Sequence, residues 1–302
     1  MTAHFLSVTD LDAKELVALL DHADELKRNR GERRDDLAGR TVALIFEKPS
    51  TRTRVSFQVA VTELGGEPLP LSSAELHLGR GETIADTAAV LSRYVHAIVV
   101  RTFGQERVEE LAAHATVPVV NALTDHEHPC QALADLRTVR AELGRLEGAV
   151  LAYVGDGNNV AHSLLLAGAL TGLEVRVAHP PGYAPDDTVV RHARDLGGDI
   201  LVTEDPVEAV AGADAVYTDV WASMGQEDEA ADRLRTFSDY QVTPELMGNA
   251  ADGAIFLHCL PAHRGEEVAA AVIDGPASRV FDQAENRLHA QKALLLHLLS
   301  TS

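Results

Sequence analysis

Apolar residues along this chain follow two alternating patterns. Short, nearly continuous apolar runs, such as those at 41–46 and 97–101, are typical of strands buried on both faces of a sheet. Longer stretches carry apolar residues three and four positions apart, as Leu16, Leu19 and Leu20 do, which indicates amphipathic helices. This alternation predicts an α/β fold with parallel sheets flanked by helices.

The two patterns predict where the elements lie. Strands are expected at residues 41–46, 97–101, 117–120, 149–154, 174–178, 200–202, 215–218 and 254–258. Helices are expected at residues 11–28, 52–64, 83–95, 105–115, 129–144, 160–171, 187–196, 206–211 and 284–299. The series restarts near residues 144–149, which predicts two α/β domains that divide at about residue 145.

The composition narrows the class of partner. The 302 residues carry a formal net charge of −20, which argues against binding to nucleic acid or to an anionic membrane, since both attract basic surfaces. No apolar run is long enough to span a bilayer, and residues 1–5 lack the basic and apolar pattern of a signal peptide. Because the only cysteines are Cys130 and Cys259, we also expect no disulfide framework and predict a cytoplasmic protein.

Residues 46–54, Phe-Glu-Lys-Pro-Ser-Thr-Arg-Thr-Arg, lie where a predicted strand ends and a predicted helix begins. A helix N-terminus offers unpaired N–H groups and partial positive charge, which together favour a phosphate. Arg52 and Arg54 would add forked, charge-assisted hydrogen bonds. The segment therefore predicts a phosphate site, although an ordinary hydroxyl-capped helix with exposed arginines would have the same sequence.

Further polar clusters follow the other predicted strands. In α/β folds ligands bind beyond the carboxyl ends of the strands, so this architecture allows the clusters to converge on a cleft between the two domains. Arg101 is equally consistent with a surface arginine, and Cys259 with a small buried apolar residue. The clusters are Arg101-Thr102 and the segments 128–131, 155–159, 219–225 and 258–261.

Two cofactor classes are disfavoured. The turn 155–160, Gly-Asp-Gly-Asn-Asn-Val, has the first two glycines of a dinucleotide-binding fingerprint but a valine in place of the third. The predicted strand 174–178 is followed by no acid that could hold a ribose, so a nicotinamide-dependent dehydrogenase is a poor second interpretation. The spacing of His258, Cys259 and His263 fits no standard zinc pattern, and we predict no metal.

Residues 223–243 are polar, acidic and weakly periodic. Because the segment follows a predicted strand end, it could be a loop that closes over a ligand. A variable surface loop is the more common interpretation of such a sequence.

Five motifs occur in one order along the chain. They are Ser-Thr-Arg-Thr-Arg at 50–54, His-Pro-Cys-Gln at 128–131, Asp-Val-Trp-Ala-Ser-Met-Gly at 219–225, His-Cys-Leu-Pro at 258–261 and Phe-Asp-Gln-Ala-Glu-Asn-Arg at 281–287. Together they resemble the aspartate/ornithine carbamoyltransferase family over essentially the whole chain. The segments 223–225 and 258–261 resemble its ornithine-specific branch.

The resemblance implies transfer of a carbamoyl group from carbamoyl phosphate to the δ-amine of L-ornithine, giving L-citrulline and phosphate. It implies a carbamoyl-phosphate domain, residues 1–145 completed by the C-terminal helix 284–302, and an ornithine domain, residues 146–283. It also implies a homotrimer with active sites at subunit boundaries, and no metal or organic cofactor.

The resemblance further assigns residues to roles. The positions that match the phosphate site are Ser50, Thr51, Arg52, Thr53 and Arg54. The positions that hold the carbamoyl group are Arg101, His128, Gln131 and Arg287, with Cys259 and Leu260 where both substrates meet. The positions for ornithine are Asn159, Asp219, Ser223 and Met224. His77 matches a position that reaches into a neighbouring subunit's site. We expect Arg101, His128, Asp219 and Cys259 to be the catalytic residues, with Cys259 orienting or deprotonating the δ-ammonium.

Related activities remain open at this point. Family members that carbamoylate putrescine, an N-acylated ornithine or aspartate are the nearest alternatives, and a catalytically silent binding protein is a more distant one. Asp219 and Ser223 favour an acceptor with a free amino-acid end, which putrescine lacks and an acylated ornithine masks. No cluster of cationic residues suited to aspartate is evident in the second domain.

Overall fold

A computed structural model describes residues 3–72, 81–222 and 230–300. The chain forms two compact units, one from Met1–Leu133 with Arg287–Ser302 and one from Ala134–Asn286. Each unit contains one sheet in which all described strands are parallel. The predicted α/β class, with helices flanking parallel sheets, is therefore confirmed.

The first unit is built on a four-stranded sheet with the order β2-β1-β3-β4. Its elements are α1 (Ala13–Arg28), β1 (Thr41–Phe46), α2 (Thr51–Glu63), β2 (Glu67–Ser72), α3 (Ile84–Leu91), β3 (Ala97–Arg101), α4 (Gln105–His114) and β4 (Val119–Leu123), followed by α5 (Pro129–Leu143), which continues into the second unit. A short 3₁₀ helix, Val8–Asp10, precedes them.

The second unit is built on a five-stranded sheet with the order β7-β6-β5-β8-β9. Its elements are β5 (Val150–Val154), α6 (Asn159–Thr171), β6 (Glu174–Ala178), α7 (Asp187–Asp195), β7 (Ile200–Thr203), α8 (Pro206–Val210), β8 (Ala215–Thr218), α9 (Ala230–Thr236), α10 (Pro244–Met247), β9 (Ile255–His258) and α11 (Ala270–Ile273). The last helix, α12 (Val280–Ser300), begins in this unit and ends in the first. Within the described ranges, no helix is both long and apolar enough to cross a membrane.

Buried apolar strands form the centre of each unit. In β1 the four residues 42–45 are at most 1% exposed, because the sheet is covered on both faces. Burying one such aliphatic side chain contributes about 1.5–3 kcal/mol to stability. The central strands β1, β3, β5 and β8 were all expected from their apolar runs, since a doubly covered parallel strand has no polar face.

Strand β2 was not predicted, because Pro68 and Pro70 interrupt its sequence. Proline cannot donate a backbone hydrogen bond and is confined to edge strands within sheets. The order β2-β1-β3-β4 places β2 at the edge, where β1 is its only partner among the described strands. An edge strand can therefore accommodate both prolines.

Strand β4 begins two residues and ends three residues later than expected, because it continues through the polar residue Asn121. The Asn121 side chain is fully buried and donates to the backbone oxygen of Leu6 at 2.9 Å. The loop expected at 223–243 is also partly helical, since α9 and the 3₁₀ turn Ser238–Tyr240 lie within it. The first part of that segment, 223–229, is outside the described residues.

The turn after β5 contains glycines for reasons of backbone geometry and packing. Gly155 has a φ of +143°, a conformation that residues with a side chain rarely adopt. A Cβ atom on Gly157 would lie 2.2 Å from the backbone nitrogen of Pro185 and 2.4 Å from the carbonyl carbon of Ala184. These glycines are therefore explained by the protein's own packing, without a dinucleotide.

We predict that Gly157→Ala lowers the free energy of unfolding by about 1–3 kcal/mol, because the new methyl group must displace backbone atoms. Urea unfolding followed by circular dichroism measures the change. Gly248→Ala is the matched control, since its Cβ would meet its nearest atoms at 3.3 and 3.5 Å on an exposed turn. Equal effects of the two substitutions would contradict the packing argument.

Candidate active site

The N-terminus of α2 has the features expected of an anion site. Ser50 caps the helix, and its hydroxyl accepts from the Thr53 N–H at 3.3 Å. No acidic residue lies in the first turn of α2, and the same is true of α5 and α6. The other helices of eight or more residues all have an acid there. The partial positive charge at the start of α2 therefore remains available to an anion.

The five residues of this first turn differ in exposure. Thr53 is fully buried, Ser50 and Arg52 are half-buried, and Thr51 and Arg54 are exposed. The turn thus presents hydroxyl, guanidinium and backbone donors around one helix end.

Arg287 connects three elements of the first unit. Its guanidinium, only 3% exposed, projects from α12. It donates to Thr53 Oγ1 in α2 at 2.6 Å and to Gln131 Oε1 in α5 at 2.9 Å. The structure thus brings together three residues that the sequence assigned to one substrate. A forked guanidinium can bridge two acceptors in this way because its donors point in fixed directions.

His128 lies buried at the start of α5, within the field of three arginines. Burial, together with the positive charges of Arg287, Arg101 and Arg52, holds the pKa of His128 well below its usual range. The imidazole is therefore neutral at physiological pH and can donate one N–H while leaving the positive charge to the guanidiniums. Arg101, at the end of β3, is itself 7% exposed. We call Arg52, Arg101 and Arg287 the cationic cluster.

Residues that the sequence analysis did not assign hold the neighbouring strand ends. Glu47, directly after β1, accepts from Arg107 at 2.7 Å and from the Thr102 hydroxyl. Its own N–H donates to the Arg101 oxygen at 2.9 Å, so the segments after β1 and β3 are fixed to each other. Glu47 and Lys48 belong to the segment 46–54 identified in the sequence, but no local sequence pattern indicated which residues they contact.

A second group of polar side chains lies in the second unit, around Asp219. The Cys259 thiol donates to Asp219 Oδ1 at 2.9 Å, and Asn158 Nδ2 donates to Asp219 Oδ2 at 3.1 Å. Both carboxylate oxygens are therefore engaged, and we call Asn158, Asp219 and Cys259 the Asp219 group. Asp219 follows β8 and Cys259 follows β9, which are neighbours in the sheet.

The amide that reaches Asp219 belongs to Asn158. Its side-chain oxygen caps α6 by accepting from the Val160 N–H at 2.9 Å, and it also accepts from the Tyr153 hydroxyl at 3.2 Å. Asn159, which the sequence assigned to a substrate, is half-buried in the first turn of α6. Asparagine is a favoured N-cap, and that preference was the signal available for Asn158.

The backbone after β9 has an unusual conformation. Leu260 has a φ of +59°, and its bond to Pro261 is cis. A positive φ in a residue other than glycine costs about 1–3 kcal/mol and persists only where neighbouring contacts enforce it. Here the Leu260 N–H donates to His258 Nδ1 at 2.8 Å.

That contact also defines the state of His258. Because Nδ1 accepts a hydrogen bond, the proton must be on Nε2, which donates to Glu267 Oε1 at 3.2 Å. Both side chains are fully shielded from solvent. Burial acts to raise the pKa of Glu267, but the hydrogen bonds from His258 and from the His263 N–H outweigh it and lower the pKa. The pair is a neutral imidazole and a carboxylate.

A buried hydrogen-bond chain fixes the end of β9 from its other side. The His258 N–H donates to Gln283 Oε1 at 2.9 Å, and Gln283 Nε2 donates to Asp135 Oδ1 at 2.7 Å. The Tyr217 hydroxyl donates to the other Asp135 oxygen at 3.3 Å. Burial and the negative charge of Asp135 raise the pKa of Tyr217 well above its usual value, so the phenol remains a donor.

Arg233 fixes both flanks of the segment 223–229. From α9 it donates to the Trp221 oxygen at 2.9 Å and to Asp156 Oδ2 at 2.7 Å. Its guanidinium lies over the Tyr183 ring at 4.9 Å. Because Asp156 belongs to the same turn as Asn158, this contact links the start of α9 to the group around Asp219. The predicted residues Ser223 and Met224, like His77, lie outside the described residues.

The remaining thiol, Cys130, has a structural environment. It is fully buried and donates to the Asn121 oxygen at 3.3 Å. Burial, partly offset by Arg287, raises the pKa of Cys130 to about 12. Such a thiol stays protonated and is a poor nucleophile.

Asp219, His258 and Cys259 place their donor atoms within 4.8 Å of one another, a distance compatible with a metal ion. The contacts favour a hydrogen-bonded group instead. Both nitrogens of His258 are engaged, by Leu260 and by Glu267, and the thiol donates to Asp219. A metal would have to break these bonds.

Comparison with known proteins agrees with this geometry. Residues 3–141 match the family model "Aspartate/ornithine carbamoyltransferase, carbamoyl-P binding domain", and residues 147–298 match "Aspartate/ornithine carbamoyltransferase, Asp/Orn binding domain". The first match contains Arg52 and Arg101 of the cationic cluster. The second match contains Arg287 and the Asp219 group.

Individual relatives cover the whole chain. A protein of Parafrankia sp. (strain EAN1pec) named ornithine carbamoyltransferase is 64% identical, covering 99% of this chain and 97% of its own. The crystallised ornithine carbamoyltransferase of Pyrococcus furiosus is 53% identical with a TM-score of 0.94, covering 97% and 96%. The anabolic ornithine carbamoyltransferase of Campylobacter jejuni is 38% identical with a TM-score of 0.94, covering 100% of each chain.

The neutral state of His128 makes stability depend on pH. Since the folded pKa lies below the unfolded value of about 6.5, the unfolded chain takes up a proton that the folded chain excludes. The contribution to stability is therefore present above pH 6.5 and is lost as the pH falls. Between pH 7.5 and 5.5 we predict a loss of stability that the variant His128→Asn does not show; uptake of one proton by the unfolded chain alone limits this loss to about 1.4 kcal/mol. Urea unfolding at both pH values measures the difference; parallel losses in the two proteins would contradict the assignment.

Proposed function

The chain belongs to the aspartate/ornithine carbamoyltransferase family, and we propose that it transfers the carbamoyl group of carbamoyl phosphate to the δ-amine of L-ornithine. The products are L-citrulline and phosphate. The observation that carries the proposal is the match along the whole chain, at 64% identity, to a protein named for this activity. The two polar groups described above supply the chemistry that the reaction needs.

We propose that the phosphate of carbamoyl phosphate binds at the start of α2, to Ser50, Thr51, Arg52, Thr53 and Arg54. The support is the acid-free first turn and the nearby guanidiniums of the cationic cluster. Phosphate is the leaving group, so its negative charge grows as the reaction proceeds. Cationic donors held in place before the reaction stabilise that charge without further reorganisation.

The carbonyl oxygen of the carbamoyl group gains negative charge when the amine attacks. We assign Arg101, His128 and the backbone at Cys259–Leu260 as its hydrogen-bond donors, with Gln131 and Arg287 holding the carbamoyl group. A donor of this kind contributes about 3–4 kcal/mol in the transition state. A neutral His128 suits the role, because it donates one hydrogen bond without competing with the arginines for the phosphate charge.

Ornithine has an ammonium and a carboxylate at its α-carbon. We propose that Asp219 accepts from the α-ammonium and that Asn159, Ser223 and the backbone near Met224 donate to the carboxylate. The contact between Asn158 and Asp219 supports a further role for Asn158, which fixes the orientation of the Asp219 carboxylate.

The attacking δ-nitrogen must be neutral. The new C–N bond then forms, the C–O bond to phosphate breaks, and the nitrogen releases its proton to phosphate or solvent. Cys259 is present as a thiol that donates to Asp219. That contact supports an orienting role in preference to proton abstraction, since a thiol must first lose its proton to act as a base. Positioning of two substrates and charge stabilisation would supply most of the rate.

We further propose a cytoplasmic homotrimer in which His77 reaches a neighbouring subunit's site. Exposed apolar side chains in the first unit support an interface between subunits. Tyr94 is 72% exposed, and Leu69 on the edge strand β2 is 40% exposed. The two cysteines, both free, are typical of a reducing compartment.

The direct test is citrulline formation by the purified protein. Carbamoyl phosphate is supplied with ornithine, putrescine, N-acetylornithine or aspartate in parallel reactions. We expect turnover with ornithine at least about a hundredfold above the others, because the Asp219 group is suited to a free α-ammonium. Preference for another amine would overturn the acceptor assignment, and binding of carbamoyl phosphate without turnover would indicate a silent binding protein.

Two substitutions separate the two halves of the site. Asp219→Asn is expected to lower kcat/KM for ornithine at least about a hundredfold while leaving the affinity for carbamoyl phosphate unchanged, because it removes only the anion for the α-ammonium. Arg52→Ala is expected to weaken carbamoyl phosphate binding and to lower kcat about a hundredfold, because it removes a donor for the leaving phosphate.

Steady-state kinetics with each substrate varied, and calorimetric binding of carbamoyl phosphate, measure both effects. The exposed residues Asp195 and Arg191 give the matched controls Asp195→Asn and Arg191→Ala, which should behave as the wild type. If Asp219→Asn lost carbamoyl phosphate binding as well, the separation of roles would be wrong.

A further inference from the structure

A turn in the second unit places three metal-binding side chains together, outside the proposed catalytic groups. They are His263, Glu266 and Glu267, whose ligand atoms lie within 4.8 Å of one another. His263 Nδ1 is 3.6 Å from Glu267 Oε2 and 4.0 Å from Glu266 Oε2. Two ligands that are each about 2.1 Å from a Zn²⁺ ion at a tetrahedral angle lie roughly 3.4 Å apart. Small side-chain movements would therefore allow the three ligand atoms to share one ion.

The backbone of this turn is held firmly, so the three side chains are presented together. The Glu266 N–H donates to the His263 oxygen at 3.0 Å, and the Gly265 N–H donates to the Val268 oxygen at 2.9 Å. The Val242 N–H donates to the backbone oxygen of Glu267 at 2.9 Å. Metal sites bind tightly when their ligands are fixed on a rigid backbone before the ion arrives.

Glu267 supplies an independent indication of a ligand. Its side chain is fully buried, and Oε1 accepts from His258 and from the His263 N–H at 2.5 Å. Its second oxygen, Oε2, is buried and has no hydrogen-bond partner among the described residues. A buried carboxylate oxygen without a donor is costly, and such an atom in a native structure calls for an ion or a water. This oxygen is the one that lies toward His263 and Glu266.

The surrounding charges also favour a cation. The nearest arginine in sequence, Arg264, donates to Asp274 through two nitrogens at 2.9 and 2.7 Å, so its charge is already balanced. The two glutamates contribute negative charge, and His258 is neutral because Leu260 occupies its Nδ1. One imidazole and two carboxylates form a donor set that suits Zn²⁺.

We propose that His263, Glu266 and Glu267 bind a divalent cation of the zinc type. The ion would take His263 Nδ1, one Glu266 oxygen and Glu267 Oε2, and water would complete the tetrahedron on the open side, where the His263 and Glu266 side chains are 52% and 44% exposed. Since Glu267 Oε1 holds His258, and His258 holds the Leu260 N–H, the ion would rigidify the backbone beside Cys259. The binding itself does not depend on the proposed reaction.

The experiment is Zn²⁺ titration of the metal-stripped protein in the absence of substrates, with a chromophoric chelator as competitor. We expect one ion per chain in the wild type. His263→Gln and Glu266→Gln should each weaken binding at least about tenfold, since even the loss of a residue behind a ligand has that effect. Both positions are half-exposed, so the variants should keep the fold, which circular dichroism checks.

The control variants distinguish this site from the alternatives. Cys259→Ser removes the thiol of the Asp219 group and should bind Zn²⁺ as the wild type does. His114→Gln, an exposed histidine beside the Glu110 backbone oxygen, should also have no effect. Co²⁺ in place of Zn²⁺ should give no cobalt–thiolate absorption band.

Three results would overturn the proposal. They are the absence of Zn²⁺ binding, loss of binding in Cys259→Ser with retention in His263→Gln, and a cobalt–thiolate band. The first result would leave the direct contact between His263 and Glu267 as the explanation of the cluster. None of these outcomes bears on citrulline formation, which is measured separately.

Discussion

The arrangement of the first unit depends on holding positively charged guanidiniums in buried positions. Removing a guanidinium from water costs several kcal/mol unless hydrogen bonds compensate it. Arg287 compensates this loss of hydration by donating hydrogen bonds to Thr53 and Gln131, which lie 234 and 156 positions away in the sequence. The bonds stabilise the fold and at the same time fix the geometry of the site, so α2, α5 and α12 cannot be repositioned independently.

The same positive charge determines how the neighbouring histidine can act. Arg52, Arg101 and Arg287 all disfavour a proton on His128, and burial adds to their effect. The histidine is thereby kept as a neutral hydrogen-bond donor. In the second unit a neutral histidine is obtained by a different route, because the Leu260 N–H occupies His258 Nδ1. Both imidazoles direct a single proton, and neither needs to carry charge.

The sequence predicts a structural feature when the interactions that determine it are local along the chain. The strands of both sheets were predictable where burial on both faces leaves a continuous apolar run, as in β1 and β5. Strand β2 was missed because its prolines argue against a strand unless its edge position is known, and sheet order is not a local property. The motifs located the start of α2, the Asp219 group and the Cys259–Leu260 turn.

The supporting residues could not be predicted in this way. Asp135, Glu267 and Gln283 fix the end of β9 through bonds that span as many as 148 positions, and no spacing rule connects them. Asn158 was overlooked beside Asn159, although its N-cap position could have indicated a fixed side chain. The resemblance proposes which residues bind the substrates, whereas the structure identifies which residues hold those side chains in place.

A net charge of −20 and an anion site in the same chain are physically compatible. At physiological ionic strength the charges of exposed side chains are screened beyond roughly 8 Å, so acids distributed over the surface contribute little inside a protected site. The groups that matter are those within a few ångströms and out of water. There the chain places guanidiniums and an acid-free helix end, while the first turns of α1, α3, α4, α7 and α12 carry the acids. The acidic surface disfavours polyanions such as nucleic acid, whereas the buried arginines are suited to a small anion that can lose its hydration shell.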